Sequence, residues 1–472
     1  MRDSFRCRPL ARPRAATIAT LLSMIAITAS AFIAPAAAIE DNKLAGQPRS
    51  EYRARRQKLM EKTKDGIVVL IGAREDEFGE AGRFRQKNNF MYLTGVQTPS
   101  AYLLLIPAGI FANKPAQEIV FIPPRNRFQE RWTGPQVGPG PEAEAAFGLQ
   151  EVADATRFND RLRDVLASPA FKPDASSGKP AAKIYTINPT GAAAELGREA
   201  RFVERLRQLA PNVQVIDVSP IIGEMRKIKS PAEIELLQRA IDITGEAHRD
   251  VVRAIKPGAH EYEAQAALEA AFTRNGAERP GFPSIVGSGI YSTVLHYNEN
   301  RKKIDSGDLV VVDIGAEYSY YTADITRTYP ASGKFTQRQR EIYQLVLDAQ
   351  RAAEKAFKPG QTNISQLNRV ATETIKASPL RDRHGNTLER YFIHGLGHWL
   401  GMDVHDEGNY SGLPAGSVFT IEPGIYIPEE GLGVRIEDDY LVTETGLVKL
   451  SRRIPSEPDE IERLMSSRSK VE

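Results

Sequence analysis

Four acidic side chains stand within or at the ends of stretches that otherwise read as buried β-strands. They are Asp313 in LVVVDIGAEY, Asp324 in YYTADITRTYP, Glu422 in VFTIEPGIYI and Glu437 in GVRIEDDYLV. An apolar β-forming run is built to be covered, and a carboxylate carried inside with it is costly unless something compensates it. The chain must therefore fold so that cations, hydrogen-bond donors or metal ions reach these positions. If the hairpin bearing Asp313 and Asp324 turns at Tyr318-Ser319, the two face each other with Cβ atoms about 4.5–5.5 Å apart. At that distance they repel unless something positive lies between them. Aspartates at strand ends also cap turns, which is the competing reading of this pair. Arg435 can neutralise one member of the second pair, Glu422 and Glu437, but not all four acids. Four carboxylates and one histidine are the donors that two hard divalent cations about 3.5–4 Å apart require.

A histidine is at hand. The stretch HGLGHWLGMDVHD, residues 394–406, holds three of the seven histidines in the 472 residues. His394 and His398 would share a face of a helix, but Gly395, Gly397 and Gly401 disfavour one, and no glutamate follows the first histidine as zinc-binding helices require. The glycines instead permit a close approach of backbone to a ligand or another strand. One of these histidines suits a metal, while another, such as His405, suits proton transfer or a developing oxyanion. His296, in VLHYNEN, is a further candidate for that second role.

The first 38 residues are set apart from the rest. Arg2, Arg6, Arg8, Arg12 and Arg14 precede the run ATIATLLSMIAITASAFIA, which closes on Ala36-Ala37-Ala38. This is the pattern of a cleavable export signal, with cleavage near Ala38 and a periplasm as destination. An uncleaved anchor is the alternative, disfavoured by the many Ala, Ser and Thr in the run. No later stretch is long and apolar enough to span a bilayer. The whole chain carries 62 basic and 60 acidic side chains, and the leader holds five arginines and one aspartate, leaving 57 and 59 in the mature part. That balance gives no electrostatic footprint for nucleic acid. The single cysteine, Cys7, lies in the leader, so disulfides are excluded and any metal depends on histidine and carboxylates.

Beyond a polar start, residues 51–220 alternate a helical RRQKLMEK with the strand-like runs GIVVLIGA, FMYLTG, AYLLLIPAG and EIVFIPP, the mark of an α/β domain. The cationic side chains of YRARRQKLMEK read as a solvated helix face. WTGPQVGPGPEA and KPDASSGKPAAK, residues 172–183, read as loops. Long amphipathic helices then take over, with Ser230 as N-cap, Pro231 first and Glu233 completing a helix start. The expected domains are 39–225 and 226–455, followed by a tail, 456–472, with a short helix. Ala254-Ile255-Lys256-Pro257-Gly258 and Ala356-Phe357-Lys358-Pro359-Gly360 end helices of similar character 102 residues apart. They suggest a duplicated α+β half-unit with a site drawing ligands from both copies.

Taken together, VVDIGAEYSYYTADITRT, HGLGHWLGMDVHD, TIEPGIYI and GVRIEDDYLVT closely resemble the pita-bread metallopeptidases, and among them the Xaa-Pro aminopeptidases (aminopeptidase P) and prolidase. FRQKNNFMYLTG and ERWTG resemble the N-terminal domain of the same enzymes, so the likeness covers about residues 50–455. It implies an α/β N-terminal domain and an α+β pita-bread catalytic domain built from the duplicated half-unit. It further implies metal ligation by Asp313, Asp324, His398, Glu422 and Glu437, with Asp324 and Glu437 bridging two Mn²⁺ ions and a bridging hydroxide as nucleophile. Catalytic work falls to His296, His405 and Glu422, and substrate binding to His394, Tyr426 and Arg435. The implied substrates are peptides with proline in second position, cut before the proline, and the implied assembly is a homodimer or homotetramer. A prolidase confined to Xaa-Pro dipeptides is the nearest alternative, and a non-catalytic peptidase-like binding module is the alternative of another class. The metal-free creatinase fold is a third comparison, but this chain retains all five ligand positions. Two stretches depart from the family pattern: Ser288-Gly289-Ile290-Tyr291-Ser292 where an Asn-Ala pair is usual, and Thr133-Gly134-Pro135-Gln136 where an arginine is usual.

Overall fold

The computed structural model describes residues 43–78, 83–172, 181–189 and 197–466. The expected leader and cleavage site, most of the expected 172–183 loop and the end of the expected tail lie outside them. Among the described residues, no helix is long and apolar enough to cross a membrane.

Helix α1 (Arg49–Lys62) leads into strand β1 (Gly66–Ile71), helix α2 (Asn88–Thr94), and strands β2 (Tyr102–Ile106), β3 (Gln117–Ile122) and β4 (Glu151–Asp154). Helix α3 (Phe158–Ala167), strand β5 (Lys183–Thr186), helix α4 (Arg198–Leu209) and strand β6 (Val215–Asp217) complete this half. The strands form one mixed sheet, ordered β4-β3-β2-β1-β5-β6. Both faces are covered, as the near-continuous apolar runs require. Ile67 and Val69 pack with Phe158, Leu162 and Leu206, while Val68 and Leu70 on the opposite face pack with Leu59 and Phe90.

Two expectations fail here for physical reasons. FMYLTG is not a strand but the body of α2, ended by Gly95 in the left-handed conformation, φ 65°. Residues Phe90 to Thr94 are all buried, so no polar face marks the helical period, and a short apolar run cannot be assigned by periodicity alone. On α1, Arg55 and Arg56 are buried rather than solvated. Arg56 Nε donates to Glu118 Oε2 at 2.8 Å, and Arg55 lies 3.1 Å from Glu233 Oε2. The helix is packed on both sides, and its cations meet carboxylates from distant segments.

Helix α5 (Ser219–Lys227) spans the expected domain boundary. After it, α6 (Pro231–Ala254) opens on the expected capping box, with Ser230 and Glu233 each bonding the other's backbone N–H. Helix α7 (Glu261–Arg274) is followed by the antiparallel strands β7 (Ile285–Ser288), β8 (Leu309–Ile314) and β9 (Ile325–Pro330), ordered β7-β8-β9. The pattern then recurs as α8 (Gln337–Ala356), α9 (Ile364–Ala377), β10 (Val418–Ile421), β11 (Gly424–Ile427), β12 (Leu432–Arg435) and β13 (Asp438–Val442). Both Lys-Pro-Gly segments close a long helix and turn through a positive-φ glycine, Gly258 at 91° and Gly360 at 68°. Each leads into a shorter helix with a capping box. The duplicated half-unit is therefore real. A last helix, Pro458–Ser466, follows.

The halves are stitched along β9. Thr328 Oγ1 donates to the Arg435 carbonyl and accepts the Arg435 N–H, at 2.9 and 3.1 Å. Arg327, fully buried, donates to Asp438 Oδ1 at 2.7 Å and to the Glu437 carbonyl at 2.8 Å. Burial alone would raise Asp438, yet Arg327 and Lys449 hold it at about 2. A pair of this kind specifies geometry more than it stabilises, but losing one partner costs about 3–5 kcal/mol.

His248 of α6 is enclosed between the Tyr329 hydroxyl (3.0 Å) and the Ile325 carbonyl (3.1 Å). Burial, helped by the nearby Arg327 charge, pushes its pKa from 6.5 down to about 3. The unfolded chain therefore takes up a proton that the folded chain refuses, so stability present above pH 6.5 is lost as pH falls toward about 3. The melting temperature of the parent protein is expected to fall more steeply than that of His248→Gln across this window. Thermal scans at stepped pH check it, and parallel curves would count against the assignment.

Candidate metal centre and active site

The four acids stand at or next to the ends of strands. Asp313 is near the end of β8, Asp324 directly precedes β9, Glu422 lies between β10 and β11, and Glu437 lies between β12 and β13. Two acids thus come from each half, and all four are brought together with His398, His394, His296, His405 and Arg435 around one cavity of about 240 Å³. A wider cavity of about 560 Å³ shares Asp313, Asp324, His296 and His405 and extends the cleft along Phe282, Pro283, Ile285 and Val404.

The register differs from the expected one. Asp313 pairs with Thr326, not Asp324, because the two-residue turn is Ser319-Tyr320. Both turn residues have positive φ, 49° and 72°, as a tight hairpin turn of matching twist requires. The register slips by two positions, and a shift of two preserves the face. Asp313 and Asp324 therefore stay on one side as diagonal neighbours.

His398 is oriented by its surroundings. Its Nδ1 lies 3.1 Å from the Trp399 carbonyl, which fixes the proton there and leaves Nε2 as a lone-pair donor. That Nε2 is 3.4 Å from Asp324 Oδ2, 3.3 Å from Glu422 Oε1 and 4.0 Å from Glu437 Oε1. Backbone bonds pin His398 to β10: its N–H donates to Thr420 Oγ1 and its carbonyl accepts the Thr420 N–H, at 3.1 and 3.0 Å. Gly397 makes this possible, since a Cβ there would collide with the Thr420 carbonyl. Gly401 is likewise required, facing the Asp406 carboxylate, whereas Gly395 faces open space. The expectation of close approach thus holds for two of the three glycines.

Charge is unbalanced at the centre. Burial raises Asp324 well above the ordinary carboxylate range, and the charges of Asp313, Glu422 and Asp439 add to it. Glu437 is raised by burial and by Asp324, Glu422 and Asp313, and Glu422 by burial and Asp313 against the pull of His398 and Arg435. Thr326 Oγ1 donates to Glu437 Oε2 at 2.7 Å, and Thr420 Oγ1 to Glu422 Oε1 at 3.3 Å. Among the described residues, the buried Asp313 Oδ1 and Asp324 Oδ1 have no hydrogen-bond partner. One atom each of Asp324, His398 and Glu437 lies within 4.8 Å of the others. Orphaned oxygens and mutual repulsion, in a set of hard oxygen donors with one imidazole, fit divalent cations.

Arg435 orders the site through two contacts, and the acid it meets is Asp313 rather than Glu422 or Glu437. Its Nη2 donates to Asp313 Oδ2 at 2.6 Å, and its Nη1 to the Tyr426 hydroxyl at 2.9 Å. Tyr426, raised to about 12 by burial, donates its O–H to His394 Nε2 at 2.8 Å, while His394 Nδ1 faces the Gly395 carbonyl at 2.8 Å. Burial and Arg435 push His394 down to about 4, so it is a neutral wall of the cleft. His405 packs 4.1 Å from His398, ring centre to ring centre, and is lowered by burial and by His398. His296 lines both cavities. Asp439, missed at the level of sequence, backs the centre: its Oδ2 accepts the Asp324 N–H at 3.3 Å. The neighbouring Asp438, Asp439 and Glu437 carry no local signal that separates ligand, support and ion-pair partner. Neither departure from the family pattern touches the five ligand positions. Tyr291 stacks on Tyr297 with ring centres 4.5 Å apart, and the Gln136 N–H is held by Glu130 at 3.1 Å.

Two family models match the chain: metallopeptidase family M24 over residues 235–444, and the aminopeptidase P N-terminal domain over residues 52–171. The Xaa-Pro aminopeptidase of Escherichia coli (strain K12) is 35% identical over 442 residues, spanning 88% of this chain and 98% of that protein. The chain belongs to the M24 metallopeptidases. A solved structure of zinc-substituted E. coli aminopeptidase P in complex with product matches it with a TM-score of 0.77 at 32% identity, over 89% of this chain and 99% of that one. A Xaa-Pro dipeptidase from Pyrococcus furiosus is 40% identical over 256 residues, but spans only 53% of this chain and 70% of its own length. This M24 chain is thus a hydrolase with the aminopeptidase P architecture, of a family that binds divalent metals.

The glycine contrast is testable. Gly397→Ala is expected to lower stability by about 1–3 kcal/mol, the cost of overpacking a filled site, and to weaken metal binding because His398 moves with it. Gly395→Ala leaves the melting temperature unchanged. Calorimetry and metal analysis of the two variants check this, and equal behaviour would contradict it.

Proposed function

We propose that the chain is an exported Xaa-Pro aminopeptidase that hydrolyses the bond between an N-terminal residue and a following proline. The observation that carries this reading is the convergence of all five ligand-type side chains, two acids from each half and His398, on the floor of one cleft. Full-length likeness to Xaa-Pro aminopeptidases, against a shorter match to a dipeptidase, supports the aminopeptidase over the prolidase.

Asp313, Asp324, His398, Glu422 and Glu437 are the residues that would hold two divalent cations, with Mn²⁺ as our assignment. Cations held there supply Lewis-acid polarisation of the scissile carbonyl and a water-derived nucleophile at neutral pH, which explains how the chain dispenses with a serine or cysteine nucleophile. Across the cleft, His296 and His405 offer ring N–H donors to the substrate and to the oxyanion developing on its carbonyl. Glu422, steadied by Thr420, is the carboxylate that moves a proton. The His394–Tyr426–Arg435 chain keeps the proline side of the pocket neutral and fixed. Export to a periplasm after cleavage near Ala38, and assembly as a homodimer or homotetramer, complete the reading.

Two measurements test it. The mature chain from Ile39, stripped and reloaded with Mn²⁺, is expected to release the first residue from a Xaa-Pro-Xaa peptide; cleavage of Xaa-Pro dipeptides alone would make it a prolidase. Among variants, His398→Ala is expected to lose metal, with affinity down roughly a hundredfold or more, together with activity. His405→Ala should keep two metals per chain and lose turnover by roughly 10²–10³-fold, the cost of one oxyanion donor. Full metal content in His398→Ala would overturn the ligand assignment.

A further inference from the structure

The loop 401–407, which carries His405, is gripped by residues distant in sequence. Arg226, at the end of α5 and 2% exposed, donates through Nη1 to Asn89 Oδ1 at 2.7 Å. Through Nη2 it reaches Asp403 Oδ2 at 2.6 Å and also Asp406 Oδ1. Lys229 Nζ holds the other oxygen of Asp406 at 3.0 Å. From the N-terminal half, Asn88 Nδ2 donates to the Met402 carbonyl at 3.0 Å and to Asp403 Oδ1 at 2.7 Å. Asn89 Nδ2 donates to Glu407 Oε1 at 3.1 Å. Arg85 Nη1 in turn supports Asn88 Oδ1 at 2.6 Å, while its Nε donates to Glu317 at 2.9 Å. Residues 402, 403, 406 and 407 are thus each bonded to segment 85–89 or 226–229, on both sides of His405.

Buried ion pairs and amides are a costly way to fill space, since apolar side chains of similar size often stabilise as well or better. What they add is direction: the bonds to Met402, Asp403, Asp406 and Glu407 bracket one imidazole, and the rest brace the residues that make them. We propose that Arg85, Asn88, Asn89 and Arg226 form a positioning clamp for His405, through which the N-terminal sheet domain governs turnover at a centre to which it contributes no ligand. The inference rests on the reading of His405 as the residue that meets the substrate. Displacing such a group by about 1 Å is enough to cost roughly a hundredfold in rate.

A double-mutant cycle tests it, using a Xaa-Pro-Xaa peptide and the Mn²⁺-loaded full mature chain. Asn88→Ala removes both bonds from Asn88 to the loop, together with the Arg85 bond to Asn88, and leaves Arg226 in place; Arg226→Met removes the hub. Either is expected to lower kcat about ten- to a hundredfold, with KM and metal per chain unchanged. In a His405→Ala background the same substitution should change kcat by less than about twofold, because the clamp acts only through His405. Equal loss in both backgrounds marks a merely structural role and overturns the inference, as does full turnover in both single variants. If Arg226→Met does not fold, Asn88→Ala decides alone. A parent enzyme that cleaves no Xaa-Pro peptide overturns the functional reading and the clamp with it.

Discussion

Mutual repulsion among Asp313, Asp324, Glu422 and Glu437 is the constraint to which the catalytic half is built. Arg435 is the cation that reaches directly into this group, and it meets Asp313 alone. The remaining charge is held in place by geometry: paired threonines on β9, the Arg327–Asp438 pair behind them, and a histidine pinned to β10 beside a glycine whose Cβ would collide with the Thr420 carbonyl. These elements spend folding energy to keep like charges together, and divalent cations supply the compensation. A core this strained is the signature of a functional centre rather than of a stability device.

The opposite wall obeys the contrary rule. His394, Tyr426 and Arg435 form a chain of donors and acceptors in which each proton has a place, so the imidazole stays neutral beside a guanidinium. A cleft with an anionic floor and a neutral, rigid wall suits a substrate whose ring is apolar and whose carbonyl must be polarised from one side. The same division lets one arginine serve both surfaces, which explains why Arg435 is as buried as the residues it organises.

Much of this was legible in the chain, for identifiable reasons. Strand-bound acids stand out because β-runs seldom tolerate them, and the paired Lys-Pro-Gly turns stand out because a helix end needs a positive-φ residue that glycine supplies. The Ser230 capping box is local chemistry, readable from four residues. What escaped was set by tertiary packing. Nothing in FMYLTG distinguishes a short helix buried all round from a strand. The hairpin turned at Ser319-Tyr320 although neither residue is a usual positive-φ choice, and the Tyr320 hydroxyl is engaged by the Gln86 N–H at 3.0 Å, a contact 234 residues away. Arg55, Arg56 and Asp439 likewise owe their burial to partners that no window of sequence contains.

The stitch between the halves has a consequence for when the enzyme comes into being. Thr326 and Glu437 are bonded across 111 residues, and Glu437, between β12 and β13, follows nearly all of the remaining chain. Contacts of such long range form late and slowly, because the intervening loop must be ordered first. A growing chain that has completed its first half-unit holds two acids and no counterpart for them. The five ligand positions therefore stand together only once the C-terminal strands have docked, and a chain that ends with its first half-unit carries two of the four acids and neither His398 nor the backbone that Thr328 bonds.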